Sequence, residues 1–515
     1  MSDFVKRNDK HSANAAEIET WLVSYLANRL GIEKHQIDVS QPFVTYGLAS
    51  VEGISLIREV EAWLGLSLSP TLAWDYPSIQ LLAQHLTDVL TVTRKESVMT
   101  PQPGGKPEPV AIVGMACRFP GSRNLQAYWQ LLHNGVDAIS EVPADRWDKA
   151  AFHSKDPAAP GKMVSSAGGF IEDIDKFDAA FFNISPREAA HVDPRQRLML
   201  ELAWEALEDA HIPPHSLVGS QTGVFVSTLA DDYGTTLFSN YIDLVDAYSG
   251  PGTAHSVIAN RISYFLNLHG PSIALDTACS GALVALHLAC QSLRSGESTL
   301  ALVGGVNIIL RPDSHVFFSK AGALAPDGRS KAFDSRANGI ARGEGGGMVV
   351  LKPLSQALLD GDMIWAVILG SAVNQDGHSN GIMAPNGKAQ EAVLRRAYQN
   401  AGISPGQIQY IEAHGTGTAL GDPIEVNALA SVLSNERPKN NICALGSVKT
   451  NIGHTESAAG IAGVIKVALS LKHRLLPPAC ILKHQTPSFP LGRYRWPCRR
   501  RLAPGLCLPS RLWRG

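Results

Sequence analysis

The segment Ser272 to Leu293, SIALDTACSGALVALHLACQSL, predicts a short strand, a tight turn and a long helix. The strand ends near Asp276, and the helix begins at about Ser280. The helix is apolar on nearly every side, so we expect it to be buried all round. A buried strand followed by a buried helix is typical of α/β folds, so this segment indicates an α/β domain.

Cys279 lies in the turn of this segment, beside the expected N-terminus of the helix. The helix dipole and the free amide groups there favour a thiolate, so the position predicts a lowered thiol pKa and a nucleophile. The alternative is a small buried apolar side chain, which is what we expect of Cys290 in the same helix. The small residues around Cys279 favour the nucleophile, but they leave both interpretations open.

The chain outside this segment divides at a stretch rich in proline and glycine. Residues 93–108 lie in the sequence TRKESVMTPQPGGKPEP and predict a linker. Before it, apolar residues at helical spacing over 15–92 predict a small bundle of three or four helices. After it, residues 109–490 predict alternating strands and helices. We expect this part to consist of two halves, an N-terminal half of about 109–355 and a C-terminal half of about 356–490. Residues 491–515 form a tail with seven Arg and no Asp or Glu.

The α/β part contains eight strand predictions and five main helix predictions. The strands are Val110–Val113, Thr222–Val226, Ser272–Leu275, Leu300–Val303, Met348–Leu351, Trp365–Leu369, Ile408–Glu412 and Cys443–Gly446. The helices are Pro194–Ala210, Gly281–Leu293, Lys388–Ala401, Asp422–Leu433 and Ala458–His473. Short apolar strands of this kind indicate a sheet that is covered on both faces.

The composition argues against several classes of protein. The formal net charge is −2, which gives no reason to expect nucleic acid or an anionic membrane as a partner. The longest apolar stretch is interrupted by Lys466, so no membrane span is expected. Seven Cys without a CxxC pair predict neither a disulfide framework nor a zinc site. The polar N-terminus lacks the apolar core of a secretory signal, so we expect a cytoplasmic protein with reduced thiols.

Two further segments have a histidine near the end of a predicted strand. The sequence YIEAH ends at His414 and runs into GTGT, while SVKTNIGH ends at His454 and runs into TES. Reactive groups are common on the loops that follow strands in α/β folds. A single histidine in such a place is more often a hydrogen-bonded structural residue. Together with Cys279, however, the two histidines form a more specific set than any one of them alone.

Three segments together resemble the active-site segments of β-ketoacyl synthases: DTACSGALVALHLACQSL, EAHGTGTALGDPIE and SVKTNIGHTESAAGIAGVIK. The similarity is to ketosynthase domains of modular (type I) polyketide synthases, and it runs from about 109 to about 487. It implies a thiolase-like fold of two related α/β halves in αβαβα layers, usually dimeric. It also implies that Cys279 accepts an acyl group, and that His414 and His454 assist decarboxylation of a malonyl-type extender. The resulting carbanion would then attack the Cys279 thioester.

The resemblance implies supporting roles for three more residues. Lys449 would hold the histidine pair in place electrostatically, or it is only part of a structural ion pair. Thr416 and Thr418 would hydrogen-bond a phosphopantetheine arm, or they only form the turn. The amide group of Cys279 would supply part of an oxyanion hole.

The helical segment before the linker resembles an acyl carrier domain, which is a four-helix bundle. Ser50, in PFVTYGLASVEGISLI, falls where such domains bear 4′-phosphopantetheine, at the start of the second helix. Free N–H groups at a helix start favour a phosphodiester there. The alternative role for Ser50 is that of a helix N-cap. Ala49 stands where carrier domains usually have Asp, which leaves open which transferase would modify Ser50.

The first hypothesis is a carrier–ketosynthase pair for polyketide, or related fatty acid, biosynthesis. An acyl group held at Ser50 would pass to Cys279 and be extended by decarboxylative Claisen condensation. The expected partners are acyl thioesters, a malonyl-type extender on a carrier protein, other polyketide synthase subunits, a phosphopantetheinyl transferase, an acyl-activating enzyme and a second copy of the chain. Neither nucleic acid nor a membrane is expected.

The second hypothesis is a truncated or frameshifted fragment that acts at most as a carrier or a dimeric binding partner. The resemblance implies a Gly-rich Phe-Gly-Gly-Thr-Asn segment after Pro487, and no such segment occurs. The Arg-rich tail stands in its place. On this hypothesis the second half of the synthase domain is incomplete and its activity is impaired.

Overall fold

The computed structural model describes residues 14–46, 50–66, 68, 72–96, 107–240, 243, 245–379, 381–433, 443–478, 494–495 and 500–501. The chain divides into two compact units, Met1–Gly105 and Lys106–Gly515. Most of the predicted linker and most of the predicted tail lie outside the described residues. Among the described residues, no helix has both the length and the apolar character needed to cross a membrane.

The first unit is a bundle of four helices: α1 Ala15–Leu30, α2 Ser50–Leu64, α3 Leu72–Asp75 and α4 Ile79–Glu96. The side chains of Asn14 and Glu17 each accept a hydrogen bond from the other's backbone N–H, which caps α1. Apolar residues at helical spacing, such as Ile18, Leu22 and Leu26, form the core. The four-helix bundle predicted for this part of the chain is therefore confirmed.

The second unit contains the remaining helices and all the strands in the described residues. The strands are β1 Val110–Arg118, β2 Ser140–Glu141, β3 Ala167–Gly168, β4 Thr222–Ser227, β5 Ser272–Leu275, β6 Leu300–Asn307, β7 Gly345–Pro353, β8 Ala366–Ile368, β9 Tyr410–Glu412, β10 Cys443–Gly446, β11 Leu475–Leu476, β12 Tyr494–Arg495 and β13 Arg500–Arg501. The helices are α5 Leu125–Asn134, α6 Lys149–Phe152, α7 Pro186–Ala189, α8 Pro194–Asp209, α9 Asp232–Asn240, α10 Ser249–Thr253, α11 His255–Leu266, α12 Gly281–Ser295, α13 Asp313–Lys320, α14 Leu354–Asp360, α15 Gly387–Ala401, α16 Gly421–Leu433, α17 Lys449–Ile452 and α18 Ala459–His473.

A six-stranded mixed sheet organises this unit. Its strand order is β5-β4-β6-β7-β1-β8. Strands β5, β4 and β6 are parallel, whereas β6, β7, β1 and β8 pair antiparallel. A second sheet has the order β12-β10-β9 with parallel pairing. Two short antiparallel pairs, β11 with β13 and β2 with β3, complete the pairing.

The layers follow from which helices cover which sheet face. Helices α8 and α11 share one apolar core with the first face of the six-stranded sheet. Helices α12 and α18 cover its other face and form the central layer. The second sheet contributes to a further core together with α15 and α16. The order is therefore helix, sheet, helix, sheet, helix, as expected for a thiolase-like αβαβα domain.

The expectation that α12 is buried all round is wrong. Leu283 and Leu288 on this helix are 48% and 38% exposed. Strand β5, which leads into the helix, is the edge strand of the sheet, and Ile273 on it is 39% exposed. The side chain of Ile273 at this edge is therefore only partly covered by the described residues of the same chain.

Candidate active site

Cys279 lies in a single 3₁₀ turn, Ala278–Ser280, between β5 and α12. Ala278 has a φ of 50°, in the left-handed region that a residue with a Cβ rarely adopts. A carboxylate oxygen of Asp276 accepts a hydrogen bond from the Ala278 N–H at 2.8 Å and supports the turn. The turn places Cys279 two residues before Gly281, the first residue of α12, whereas the sequence predicted a helix that begins at about Ser280.

A cavity of about 350 Å³ adjoins the turn, and Cys279, His414 and Lys449 all lie on its wall. The rest of the wall is mostly apolar and comes from β1, β8, α12 and α18. The ring of His454 packs against that of His414, with 5.4 Å between centroids and an angle of 84°. A larger cavity of about 650 Å³ near Arg118 contains none of the predicted site residues. The smaller cavity is therefore the candidate active site.

His414 is presented by the loop that follows β9. Its N–H and that of Gly415 donate to the carboxylate of Glu425 at 2.7 and 2.8 Å, which anchors the loop on α16. The residue is exposed by its accessible surface and lies on the wall of the cavity. Removal from water, with a smaller effect from the charge of Lys449, lowers the pKa of His414 from 6.5 to about 3. The imidazole is therefore neutral at pH 7.

His454 is buried, and its backbone is held by a neighbouring loop. Its N–H donates to the carbonyl of Ala341 at 2.7 Å, and its carbonyl accepts from the N–H of Gly343 at 2.8 Å. The ring nitrogen Nδ1 accepts a hydrogen bond from the N–H of Glu456 at 3.1 Å. Because a backbone N–H can only donate, Nδ1 lacks a proton and Nε2 bears it. Burial and the charge of Lys449 hold the pKa of His454 well below its usual value.

Lys449 begins α17 and is buried. Burial lowers the pKa of its ammonium group, whereas the charges of Glu412 and Glu425 oppose that change. Glu412 is itself fixed, since it lies 2.6 Å from the ammonium of Lys466 and accepts from the N–H of Val448 at 2.6 Å. Lys449 is thus part of a buried charge network, and its positive charge disfavours protonation of both histidines.

The predicted direction of the Cys279 pKa shift is wrong. Burial raises the pKa of the Cys279 thiol, and the nearby charge of Glu456 adds to the increase. Lys449 and a backbone hydrogen bond act in the opposite direction but do not outweigh removal from water. The site therefore contains the thiol at neutral pH, so the proton must leave when the sulfur attacks a substrate.

Thr416 and Thr418 lie in the turn after His414. Their hydroxyl oxygens are 3.2 Å apart, and the Thr418 hydroxyl also accepts from the N–H of Gly421 at 3.1 Å. Between them Gly417 has a φ of 83°, which favours glycine. These contacts show that the threonines form the turn; their binding of a phosphopantetheine arm stays a prediction.

Ser50 lies in the first unit, whereas the other predicted site residues lie in the second. It is the first residue of the 15-residue helix α2. First-turn amide groups have no partner within a helix, so this position suits a phosphodiester. The placement fits phosphopantetheine attachment, and the assignment to Ser50 stays a prediction.

Sequence reasoning missed the buried and half-buried charged residues around the site, although most lie within the quoted segments. They are Arg342, Glu412, Glu425, Glu456 and Lys466. The sequence feature that could have revealed them is a charged residue within a run of small or apolar residues. Lys466, for example, interrupts the apolar helix α18, and a lone charge on a buried helix requires a partner.

Comparisons with known proteins agree with this site. Residues 107–357 match the family "Beta-ketoacyl synthase, N-terminal domain", and residues 365–483 match "Beta-ketoacyl synthase, C-terminal domain". Residues 20–86 match "Phosphopantetheine attachment site". The Streptomyces albus oxazolomycin ketosynthase domain has a similar structure, with a TM-score of 0.73 and 40% identity over 76% of this chain and 70% of that one. A ketosynthase from module 6 of the bacillaene synthase of Bacillus subtilis gives a TM-score of 0.71 and 42% identity, covering 76% of this chain and 66% of that one.

Curated relatives with similar sequences are polyketide synthases. One phenolphthiocerol/phthiocerol polyketide synthase subunit of Mycobacterium tuberculosis is 47% identical over 484 residues, 93% of this chain and 26% of the relative. Mycoketide-CoA synthase of the same organism is 45% identical over 473 residues, 91% of this chain and 11% of the relative. The chain thus spans about a quarter or less of the length of these relatives. It belongs to the β-ketoacyl synthases of the type I polyketide synthase family, with a phosphopantetheine attachment domain followed by a ketosynthase domain.

Proposed function

We propose that the chain provides an acyl carrier and a ketosynthase for polyketide, or related fatty acid, biosynthesis. An acyl thioester would be transferred to Cys279 and extended by decarboxylative Claisen condensation. The observation that supports this most is the shared cavity of Cys279, His414 and Lys449, with the ring of His454 packed beside it. Matches to both ketosynthase domains also favour it over a non-catalytic fragment.

The first step is transfer of the acyl group to Cys279. The sulfur attacks the thioester carbonyl, a new carbon–sulfur bond forms, and the substrate's thiol leaves with the proton that Cys279 gives up. The carbonyl oxygen becomes negative during attack. The amide group of Cys279, in the turn before α12, would help to stabilise that charge.

The second step is decarboxylation of the malonyl-type thioester. The bond to the carboxylate breaks, carbon dioxide leaves, and the electron pair forms an enolate. His454 is suited to this step because its proton lies on Nε2 and its ring is neutral. A neutral His414 supplies a second hydrogen bond to the developing oxyanion. The enolate carbon then attacks the acyl-Cys279 carbonyl, and the Cys279 thiolate leaves and takes up a proton.

The first unit is the carrier in this proposal. When attached at Ser50, 4′-phosphopantetheine supplies a thiol that holds an acyl group as a thioester. The amide groups at the start of α2 would bind its phosphate. Modification requires a phosphopantetheinyl transferase, and an acyl-activating enzyme and other synthase subunits would supply acyl and malonyl groups. Because a nucleophilic Cys279 needs reducing conditions, we place the reaction in the cytoplasm.

A second copy of the chain is the partner that the edge of the six-stranded sheet suggests. Ile273 on β5 and Tyr264 on α11, which packs on that strand, are 39% and 88% exposed. We expect Ile273→Lys to convert a dimer into a monomer in analytical ultracentrifugation, because it charges this apolar edge. The control is Leu359→Lys on α14, which is also highly exposed and should leave the mass unchanged. A monomeric wild-type chain would contradict the proposal.

The acyl-transfer step is tested by intact mass spectrometry of the full chain. The chain is given an acyl thioester without prior modification by a phosphopantetheinyl transferase, so that no phosphopantetheine thiol at Ser50 can accept the acyl group. We expect acylation to disappear in Cys279→Ala and to persist in Cys290→Ala, whose cysteine lies in the same helix but is buried in the core. Acylation that is equal in Cys279→Ala and wild type would contradict the assignment of the nucleophile.

The decarboxylation step is tested separately by release of carbon dioxide from a malonyl thioester. We expect His454→Ala to slow it by about 10²–10³-fold while leaving acylation of Cys279 intact, because one oxyanion donor is lost. Acylation without release of carbon dioxide in the wild-type chain would instead favour the impaired fragment.

A further inference from the structure

We propose that Arg342 is a positioning residue that fixes the tautomer of His454 through a buried ion pair with Glu456. This inference rests on the function proposed above, in which His454 donates through Nε2. Arg342 Nε lies 2.5 Å from Glu456 Oε1, and the two side chains are 2% and 3% exposed. Neither belongs to the described residues that line the cavity at Cys279. The pair therefore acts through His454 and not on the substrate.

The link between the ion pair and His454 is the backbone of Glu456. This residue has a φ of 46°, a left-handed conformation that a Cβ disfavours. In this conformation its N–H donates to Nδ1 of His454 at 3.1 Å. Without an anchor, residue 456 would relax toward an ordinary φ and turn its N–H away. The ion pair with Arg342 is the anchor that keeps the N–H directed at Nδ1.

Arg342 is in turn held firmly in place. Its Nη1 donates to Nδ1 of His315 at 3.0 Å, and the guanidinium lies over the ring of Phe318 at 5.5 Å. His315 is fully buried, and because a guanidinium only donates, its Nδ1 must be the acceptor. The guanidinium thus has one arrangement in which Nε faces Glu456.

The backbone on both sides of Arg342 also binds His454. Ala341 accepts from the His454 N–H, and Gly343 donates to the His454 carbonyl. Arg342 therefore reaches His454 by two routes, along this bridge and through Glu456. The bridge places the backbone of His454, whereas the ion pair decides which ring nitrogen holds the proton.

The test replaces both partners of the ion pair, because Arg342→Met alone would leave a buried carboxylate without a partner. Arg342→Met with Glu456→Leu removes the pair and keeps a Cβ at position 456. Arg342→Met with Glu456→Gly also removes the pair but lets residue 456 adopt a positive φ freely. The control is Asp193→Leu with Arg195→Met, which removes a similarly buried ion pair of 2.5 Å at the start of α8.

The first readout is the decarboxylation of a malonyl thioester by the folded full-length chain. We expect the Leu double variant to lose about 10²-fold in kcat with little change in KM, since a wrong tautomer removes a hydrogen-bond donor needed in the transition state. The Gly double variant should recover most of that loss, and the control should retain the wild-type kcat. Equal kcat values for the Leu and Gly double variants, or a wild-type kcat in the Leu variant, would overturn the proposal.

The second readout is the ¹⁵N spectrum of the histidine rings, with His454 assigned by its absence in His454→Ala. We expect the Nε2–H tautomer in the wild-type chain and in the Gly double variant, and loss of that tautomer in the Leu double variant. An unchanged tautomer in the Leu variant would overturn the proposal. This readout does not need turnover, so it separates the inference from the proposed function. A wild-type chain that releases no carbon dioxide would contradict only the latter.

Discussion

The two histidines show how burial selects a protonation state at the level of single residues. His414 and His454 face the same lysine, and both have pKa values below the usual range because charging them inside the protein is unfavourable. Asp422, nearby on α16, shows the same effect with the opposite sign, since burial raises its pKa from 3.8 to about 6. At neutral pH the two histidines are therefore neutral hydrogen-bond donors, whereas Asp422 is mostly ionised.

Stability should fall in acid because of His414. Its pKa is about 3 in the folded chain and 6.5 ordinarily, so between these values the unfolded chain binds a proton that the folded chain does not. Stability from this group is present above pH 6.5 and is lost as the pH falls toward 3. We therefore expect His414→Gln to lose less free energy of unfolding than wild type between pH 7.5 and 5.0, as measured by urea denaturation.

Asp422 provides the opposite comparison. Its raised pKa means that it contributes stability at low pH, which is lost as the pH rises through about 6. Asp422→Asn should therefore lose more free energy of unfolding than wild type over the same acid range. An identical pH dependence in both variants and wild type would contradict the assignment of these shifts.

At the level of elements, short loops with unusual backbone conformations position the functional side chains. Ala278 precedes Cys279 with a φ of 50°, and Gly453 precedes His454 with a φ of 75°. The glycine also lies close to its neighbours, because a Cβ there would be 2.9 Å from the carbonyl oxygen of Arg342. The elements themselves are regular, and the chemistry is placed by the residues that join them.

Gly453→Ala should both destabilise the second unit and slow decarboxylation. The new Cβ would be strained by its positive φ and would collide with the Arg342 carbonyl, so the loop that holds His454 must shift. We expect a loss of about 1–3 kcal/mol in urea denaturation. Gly361→Ala is the matched control, since φ is 73° but nothing lies within 4 Å of the added Cβ. A smaller loss in Gly453→Ala than in Gly361→Ala would contradict this account.

At the level of the whole molecule, the two units have separate cores. The core of the helical unit contains Leu22 and its neighbours from α1, α2 and α4. The cores of the larger unit lie on both faces of the six-stranded sheet and include Leu302 of β6. Since no core formed by the described residues contains residues of both units, each unit has its own source of apolar stabilisation.

We therefore expect two unfolding transitions in differential scanning calorimetry. Leu22→Ala should lower the unfolding temperature of the helical unit only. The free energy of unfolding of that unit should fall by about 2–5 kcal/mol, because both the buried contacts and the filled volume are lost. Leu302→Ala, at an equally buried position, should lower the unfolding temperature of the larger unit only. A single unfolding transition whose temperature falls with either substitution would contradict the proposal that the two units have independent cores.

Local pattern was sufficient for much of the fold. The predicted ranges of β5 and β10 agree with the structure at both ends, because both are short strands that end at a turn or loop. Strand β7 was predicted too short, as Met348–Leu351 instead of Gly345–Pro353. Its three glycines show no apolar pattern, yet they pair with β1 and β6. The apolar pattern of the sequence thus locates a strand by its side chains, whereas backbone pairing with neighbouring strands decides at which residues the strand ends.

The sequence by itself determined the family and the carrier and ketosynthase parts, and it predicted the set of Cys279, His414 and His454, because these follow from local motifs. Only the tertiary structure decided the charge states and the ring tautomer. Arg342 and Glu456 are 114 residues apart, and their ion pair exists only once the β6–β7 connection and the loop before α18 meet. The raised pKa of Cys279 likewise reflects burial by the surrounding fold, an effect that no local pattern of residues encodes.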